Sequence, residues 1–273
     1  MLHFRCALRT PEPRKFLEGE KMTTTALIPA DLDSEMDNGF FDAPGFAAET
    51  LSDWRNLAAV IDHTLLKPEA TRTQVENLCD EAIRYRFACA MVNPVWVPTA
   101  AALLSGTGIP VGVVLGFPLG ATLASTLRQE ASTLVRLGAR ELDMVLSYGQ
   151  LKSGDYTGVE RSIRGVADIA HRHGALVKVI LETCQLNVEE KLRASEIAIH
   201  AGADFLKTST GFSTGGATAA DVALLRGVAG ARCGVKASGG IRTLTDTKTM
   251  LEAGANRLGA SASVSIVREL GAE

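Results

Sequence analysis

Three lysines lie inside apolar, strand-like runs of this chain: Lys178 within Leu176–Leu181, Lys207 within Phe205–Gly211 and Lys236 within Gly234–Gly240. They recur at intervals of 29 residues. A lysine is rarely buried unless it is paired or functional. One lysine in each of three repeating units therefore predicts amines converging on one pocket. That is the setting an amine nucleophile with a depressed pKa requires. Asp143, in the run Glu141–Val145, supplies a carboxylate from a fourth such unit. The competing reading is that the lysines only pair with carboxylates in a polar layer, which accounts for one lysine more easily than for three.

The segments after the later runs are rich in glycine and hydroxyls: Thr208–Gly211, Ser238–Gly240 and Gly259–Ser261. Small residues let backbone N–H groups approach an anion closely, and a helix starting behind them adds a favourable dipole. These three loops are a candidate phosphate site, with Thr210 among the supporting hydroxyls. The plainer alternative is that Gly239 and Gly240 only make a tight turn. Other chemistry is weaker. His63 follows Asp62 at the end of a first strand, where a local hydrogen bond is the simpler expectation. His171 and His173 are two apart on a helical stretch and do not share a face. No histidine, cysteine or carboxylate group has metal-ligand spacing, so neither a metal nor a cofactor is expected.

The elements that would position these groups repeat. A Gly-Ala pair recurs at 138–139, 174–175, 202–203, 230–231 and 254–255. Amphipathic helical stretches such as Leu127–Leu137 and Lys191–His200 precede the pairs, and β-type runs follow them. Glycine after a helix adopts the left-handed conformation that ends it. The expected strands are Ala58–Ile61, Ala88–Val92, Val111–Leu115, Leu142–Leu146, Leu176–Leu181, Phe205–Thr208, Gly234–Ala237 and Arg257–Ala260. Eight strand–helix units in a domain of this size predict a parallel α/β fold, a TIM (β/α)8 barrel. A doubly wound open sheet is the rival. It would more often carry a glycine-rich dinucleotide loop after its first strand, and none follows Ile61.

Residues 1–50 read differently. Pro11, Pro13, Pro29 and Pro44 interrupt a stretch without sustained period. Its basic residues suggest a targeting peptide, but Glu12, Glu18 and Glu20 argue against one, and no secretory apolar core is present. The expectation is a disordered or loosely packed extension (1–50), with Met22 a candidate initiator, ahead of a barrel domain at 51–273. A net charge of −3 offers nothing to nucleic acid or an anionic membrane. No apolar run is long enough for a membrane span. Five cysteines without Cys-x-x-Cys spacing fit free thiols in a reducing cytoplasm.

Seven ordered segments resemble the deoxyribose-phosphate aldolase family: IDHTLLKP (Ile61–Pro68), VNP (Val92–Pro94), GFP (Gly116–Pro118), ELDMV (Glu141–Val145), KVILET (Lys178–Thr183), KTSTGF (Lys207–Phe212) and KASGGIRT (Lys236–Thr243). The resemblance runs from about residue 52 to the C-terminus. It implies a metal-independent class I aldolase of deoxyribose phosphate catabolism. The reaction would be reversible cleavage of 2-deoxy-D-ribose 5-phosphate to D-glyceraldehyde 3-phosphate and acetaldehyde. Position by position it implies Lys207 as the Schiff-base lysine, Asp143 as acid/base carboxylate, Lys236 as the neighbouring amine that tunes it, Asp62 as a supporting polar residue, and Lys178 alongside them. Gly211, Gly239, Gly240 and Ser261 fall where the family holds phosphate. Two departures weaken that contact: Ala262 stands where some members have a second hydroxyl, and Phe212 where some have a lysine.

Two rivals are separable by experiment. A transaldolase-like barrel acting on ketose phosphates would be trapped with dihydroxyacetone rather than acetaldehyde. A non-catalytic sugar-phosphate binder would bind without turnover. The sequence leaves open the oligomeric state, with a homodimer or higher homo-oligomer among the options, and the aldehyde sensitivity of Cys89.

Overall fold

We describe residues 41–273 of a computed structural model. Eight strands alternate with helices: β1 (Ile61–Leu65), β2 (Cys89–Val92), β3 (Val111–Leu115), β4 (Ala139–Val145), β5 (Leu176–Ile180), β6 (Phe205–Lys207), β7 (Gly234–Ser238) and β8 (Arg257–Ala260). Each pairs in parallel with the next, and β8 pairs with β1, so the sheet closes. Closure satisfies every strand edge within the sheet. This is a TIM barrel.

The main crossover helices are α3 (Arg72–Tyr85), α4 (Val97–Leu103), α5 (Ala124–Arg136), α7 (Tyr156–Arg172), α8 (Val188–His200), α9 (Ala219–Ala229), α10 (Leu244–Glu252) and α11 (Ser263–Glu269). A short α6 (Tyr148–Lys152) precedes α7, and α1 (Ala43–Thr50) and α2 (Trp54–Ala58) precede β1. Local chemistry sets the boundaries. Thr71, Asn187 and Thr243 close capping boxes on α3, α8 and α10. The glycines of the five Gly-Ala pairs all have positive φ, from 53° at Gly230 to 112° at Gly138, as helix-terminating glycines should.

Two apolar clusters follow from strand alternation. Outward residues such as Val113, Leu142, Val177, Leu206 and Val235 pack against the helices in one continuous core. Inside the barrel a small separate cluster holds Leu66, Cys89, Met91 and Val114, with Phe117 against it. Gly112 makes that cluster possible, since a Cβ there would lie 2.4 Å from Cys89 Sγ.

Two sequence expectations are corrected. The first strand is Ile61–Leu65, not Ala58–Ile61. Asp53 accepts a hydrogen bond from the Arg55 N–H and starts a helical turn that carries the chain through Ala58. His63 accordingly sits within the strand and faces outward, its Nε2 2.7 Å from Glu81 on α3. The second concerns the boundary expected at residue 51. Residues 43–50 form α1, whose Ala47 and Thr50 are buried, so helix and burial begin ahead of residue 51. Residues 1–40 of the expected extension, Met22 included, lie outside the described residues.

Candidate active site

Strand register alone brings the charged groups together. Asp143 and Lys178 are partners across β4 and β5, and Lys207 and Lys236 are partners across β6 and β7. All four face the interior. Lys178 Nζ donates to Asp143 Oδ1 at 2.8 Å. Lys207 Nζ and Lys236 Nζ each lie 2.7 Å from Asp143 Oδ2. Lys236 also donates to Asp62 Oδ2, which enters from β1. Every sequence-derived catalytic candidate therefore meets in one cluster.

Sequence reasoning missed two members. Glu141 points inward two residues before Asp143, and its Oε2 is 2.5 Å from Lys178 Nζ, off the line of a hydrogen bond. Arg257 on β8 donates to Asp62 Oδ1 at 3.0 Å and reaches Glu141 Oε1 at 3.5 Å. The period of two along β4 was the available signal for Glu141. Arg257 lies in the most weakly patterned strand and carried none.

The cluster thus holds three carboxylates (Asp62, Glu141, Asp143) and four cations (Lys178, Lys207, Lys236, Arg257). Buried charges persist only when paired, and with all seven ionised one positive charge is in excess. Burial by itself would raise the Asp62 carboxyl, but Lys178, Lys236 and Arg257 outweigh it and hold the group down at about 2. Asp143, opposed by burial, is held well below the usual range by Lys178, Lys207 and Lys236. Lys178 gains from Asp143, Asp62 and Glu141 more than burial removes, and its ammonium is strengthened. Lys207 goes the other way. Burial is the largest influence, and Lys236 and Lys178 add to it against the attraction of Asp143, leaving its pKa at about 8. Lys207 therefore holds its proton loosely. Such an amine can be neutral near physiological pH and attack a carbonyl.

One side of the interior is apolar, a cluster of Leu66, Cys89, Met91 and Val114 with Phe117 against it. Burial, with Glu141 and Asp62 nearby, raises the Cys89 thiol well above its ordinary range. Asp62, Cys89 and Glu141 bring ligand-type atoms within 4.8 Å of one another, but the carboxylates of this trio already bind Lys178, Lys236 and Arg257. The set is an ion-pair network rather than a cation cage. His171 and His173 hold separate partners, Asp204 and the Ile169 carbonyl.

Above the amines, at the C-terminal end of the barrel, lie the glycine-rich loops. Gly211, Gly239 and Gly240 have φ of 83°, 88° and 85°. Gly239 packs between two neighbours: a Cβ on it would lie 3.1 Å from Gly216 Cα and 3.5 Å from Gly211 Cα. The Ala217 N–H donates to the Gly239 carbonyl at 2.9 Å, joining the two loops. Ser261 follows β8 at the same end and is exposed. Thr210 is buried, and Phe212, half-exposed, meets Phe117 edge to face at 5.2 Å.

The model of a family described as DeoC/LacD family aldolase matches residues 28–269. The deoxyribose-phosphate aldolase of Geobacillus sp. (strain WCH70) is 54% identical over 212 residues, covering 78% of this chain and 95% of its own. That of Aciduliprofundum boonei is 54% identical over 218 residues, covering 80% and 98%. The solved deoxyribose phosphate aldolase of Aeropyrum pernix, described as tetrameric, is 36% identical with a TM-score of 0.78 over 84% of this chain and 96% of that one.

Proposed function

The chain belongs to the DeoC/LacD family of aldolases, and from that premise we propose that it cleaves 2-deoxy-D-ribose 5-phosphate reversibly to D-glyceraldehyde 3-phosphate and acetaldehyde, through an imine on Lys207. The observation that carries the residue assignment is the charge balance of the buried cluster. Four cations face three carboxylates, and Lys207, with its pKa lowered to about 8, can give up the excess proton near neutral pH.

Neutral Lys207 adds to the C1 aldehyde of the open-chain sugar, and loss of water gives a protonated imine. The C3 hydroxyl loses its proton as the C2–C3 bond breaks, and the bonding electrons move toward the imine nitrogen. Glyceraldehyde 3-phosphate departs, leaving an enamine on the two-carbon fragment. Protonation at C2 and hydrolysis release acetaldehyde and restore the amine. The protonated imine is the electron sink.

Asp143 is held ionised, so it acts as proton acceptor and as the anchor of the neighbouring ammonium. Lys236, 2.7 Å from it, is the proton donor, and Asp143 and Lys236 together form the relay. Asp62 and Lys178 hold the pair in place. The apolar wall of Met91, Val114 and Leu66 shields the enamine from water. Gly211, Gly239, Gly240 and Ser261 bind the phosphate. Phe212 packs on Phe117 and brings no cation there, so backbone N–H groups and the Ser261 hydroxyl carry the contact.

The test is product analysis: acetaldehyde and glyceraldehyde 3-phosphate released together from deoxyribose 5-phosphate support the reading. Trapping of an adduct with dihydroxyacetone but not with acetaldehyde would favour the transaldolase-like alternative instead.

The protein is further read as a cytoplasmic homo-oligomer. In support, Cys79, Cys89, Cys184 and Cys233 are free thiols, no described helix is long and apolar enough to cross a membrane, and the Aeropyrum pernix relative is tetrameric. Light scattering at a single 28.9 kDa subunit mass would overturn the oligomer.

A further inference from the structure

Glu182 is a buried carboxylate that takes no part in the lysine cluster. It is one of only two non-glycine residues with positive φ among the described residues (φ 56°), and it is 2% exposed. Arg86, the other, ends a helix, a routine place for that conformation. Glu182 ends no helix: it precedes the short 3-10 turn Thr183–Gln185, and its side chain does not cap that turn. A left-handed backbone at a bulky residue persists only where its surroundings enforce it, and such residues concentrate at functional sites.

Its surroundings are the chain beyond β6. On either side of Glu182, the Leu181 N–H donates to the Lys207 carbonyl and the Thr183 N–H to the Thr208 carbonyl, both at 2.9 Å. The left-handed turn between them sends the Glu182 carboxylate up to Thr210. There it accepts twice, from the Thr210 N–H at 3.3 Å and from the Thr210 hydroxyl at 2.5 Å. Having donated its proton, that hydroxyl accepts the Phe212 N–H at 3.0 Å. The outcome is a locked turn, Thr210–Phe212, with left-handed Gly211 at its centre and against Gly239.

We propose that Glu182 is a positioning residue for phosphate recognition: it fixes the Thr210–Phe212 turn so that Gly211 and Gly239 present their backbone to the substrate phosphate. The assignment rests on the aldolase reading above. A carboxylate near an anion site opposes binding by its charge, so its presence is explained by the geometry it imposes. Neutralising it without changing its shape separates the two influences, because glutamine can still accept from one Thr210 group.

The experiment compares kcat/KM for 2-deoxyribose 5-phosphate with that for unphosphorylated 2-deoxyribose in wild type, Glu182→Ala, Glu182→Gln and Thr210→Val. For Glu182→Ala the ratio of the two is expected to fall by about tenfold or more, mainly through KM for the phosphorylated sugar. Thr210→Val should shift the ratio the same way, and Glu182→Gln should recover part of it. Equal losses on both sugars, an unchanged ratio, or tighter phosphate binding in both Glu182 variants would overturn the proposal. Should Glu182→Ala fail to fold, the Thr210→Val and Thr210→Ser pair gives the same reading, loss against rescue. A wild-type protein that cleaves neither sugar would instead end the aldolase reading, and is distinguishable because no variant is involved.

Discussion

Lys207 and Lys236 converge on a single oxygen: each Nζ lies 2.7 Å from Asp143 Oδ2. One carboxylate oxygen thus sits between two amines that are partners across β6 and β7. It cannot fully stabilise two ammonium groups, and Asp62 holds the second one from behind. Burial and the neighbouring ammonium groups lower the pKa of Lys207 to about 8.

The rate of imine formation should therefore rise with pH through about 8 and then level off. At that pKa roughly a tenth of the amine is neutral at pH 7, against fewer than about one in a thousand for a free lysine. Lys236→Leu removes the repelling charge and should move the midpoint upward, slowing trapping at neutral pH. A midpoint unmoved by that change would reject the electrostatic role. The sign for stability follows from the same depression. The folded state disfavours the charged amine, so the penalty that Lys207 places on folding is full below its folded pKa of about 8 and is lost as pH rises from there to the unfolded value. Lys207→Met should melt no earlier than wild type at pH 7.

Arg257 should matter for stability more than for chemistry. It neutralises Asp62 and Glu141 within the barrel, and removing one member of a buried charge set strands its partners. Arg257→Met is expected to cost about 3 kcal/mol, measured by urea unfolding with an unchanged m-value. A loss below about 1 kcal/mol would show that the pairing is effectively exposed to solvent.

Gly216 has no room for a side chain. A Cβ there would lie 2.3 Å from the Gly239 carbonyl oxygen, which itself accepts from Ala217. Gly216→Ala should push the loops after β6 and β7 apart and raise KM for the phosphorylated sugar by about tenfold. Steady-state kinetics with both sugars checks it, and equal loss on both would mean general disruption.

Cys89 should resist alkylation. Its thiol is buried and held well above its ordinary pKa, and the thiolate is the reactive form. Among the described cysteines, Cys184 is the exposed one and should label first with iodoacetamide. Peptide mapping that finds Cys89 modified at a similar rate would contradict the enclosed apolar wall.

Periodicity in the sequence encodes some of these features and not others. The strands carrying Lys178, Lys207 and Lys236 stand out because a charge inside an apolar run is conspicuous, and the Gly-Ala pairs mark the helix ends between them. Whether those lysines face inward was undecidable, since one residue of register reverses every side chain. The first strand was misplaced because Ala58 suits a strand end as well as the short helix that Asp53 initiates. Arg257 and Glu182 were invisible for different reasons. The former lies in a strand of mixed pattern, and the latter owes its role to a backbone conformation that its residue type does not announce.

Borohydride reduction in the presence of 2-deoxyribose 5-phosphate, followed by peptide mass mapping, tests the assignment of the imine to Lys207. A reduced adduct on Lys207, absent in a folded Lys207→Met variant, is the expected result. An adduct on Lys178 or Lys236, or trapping that persists in that variant, would contradict the assignment.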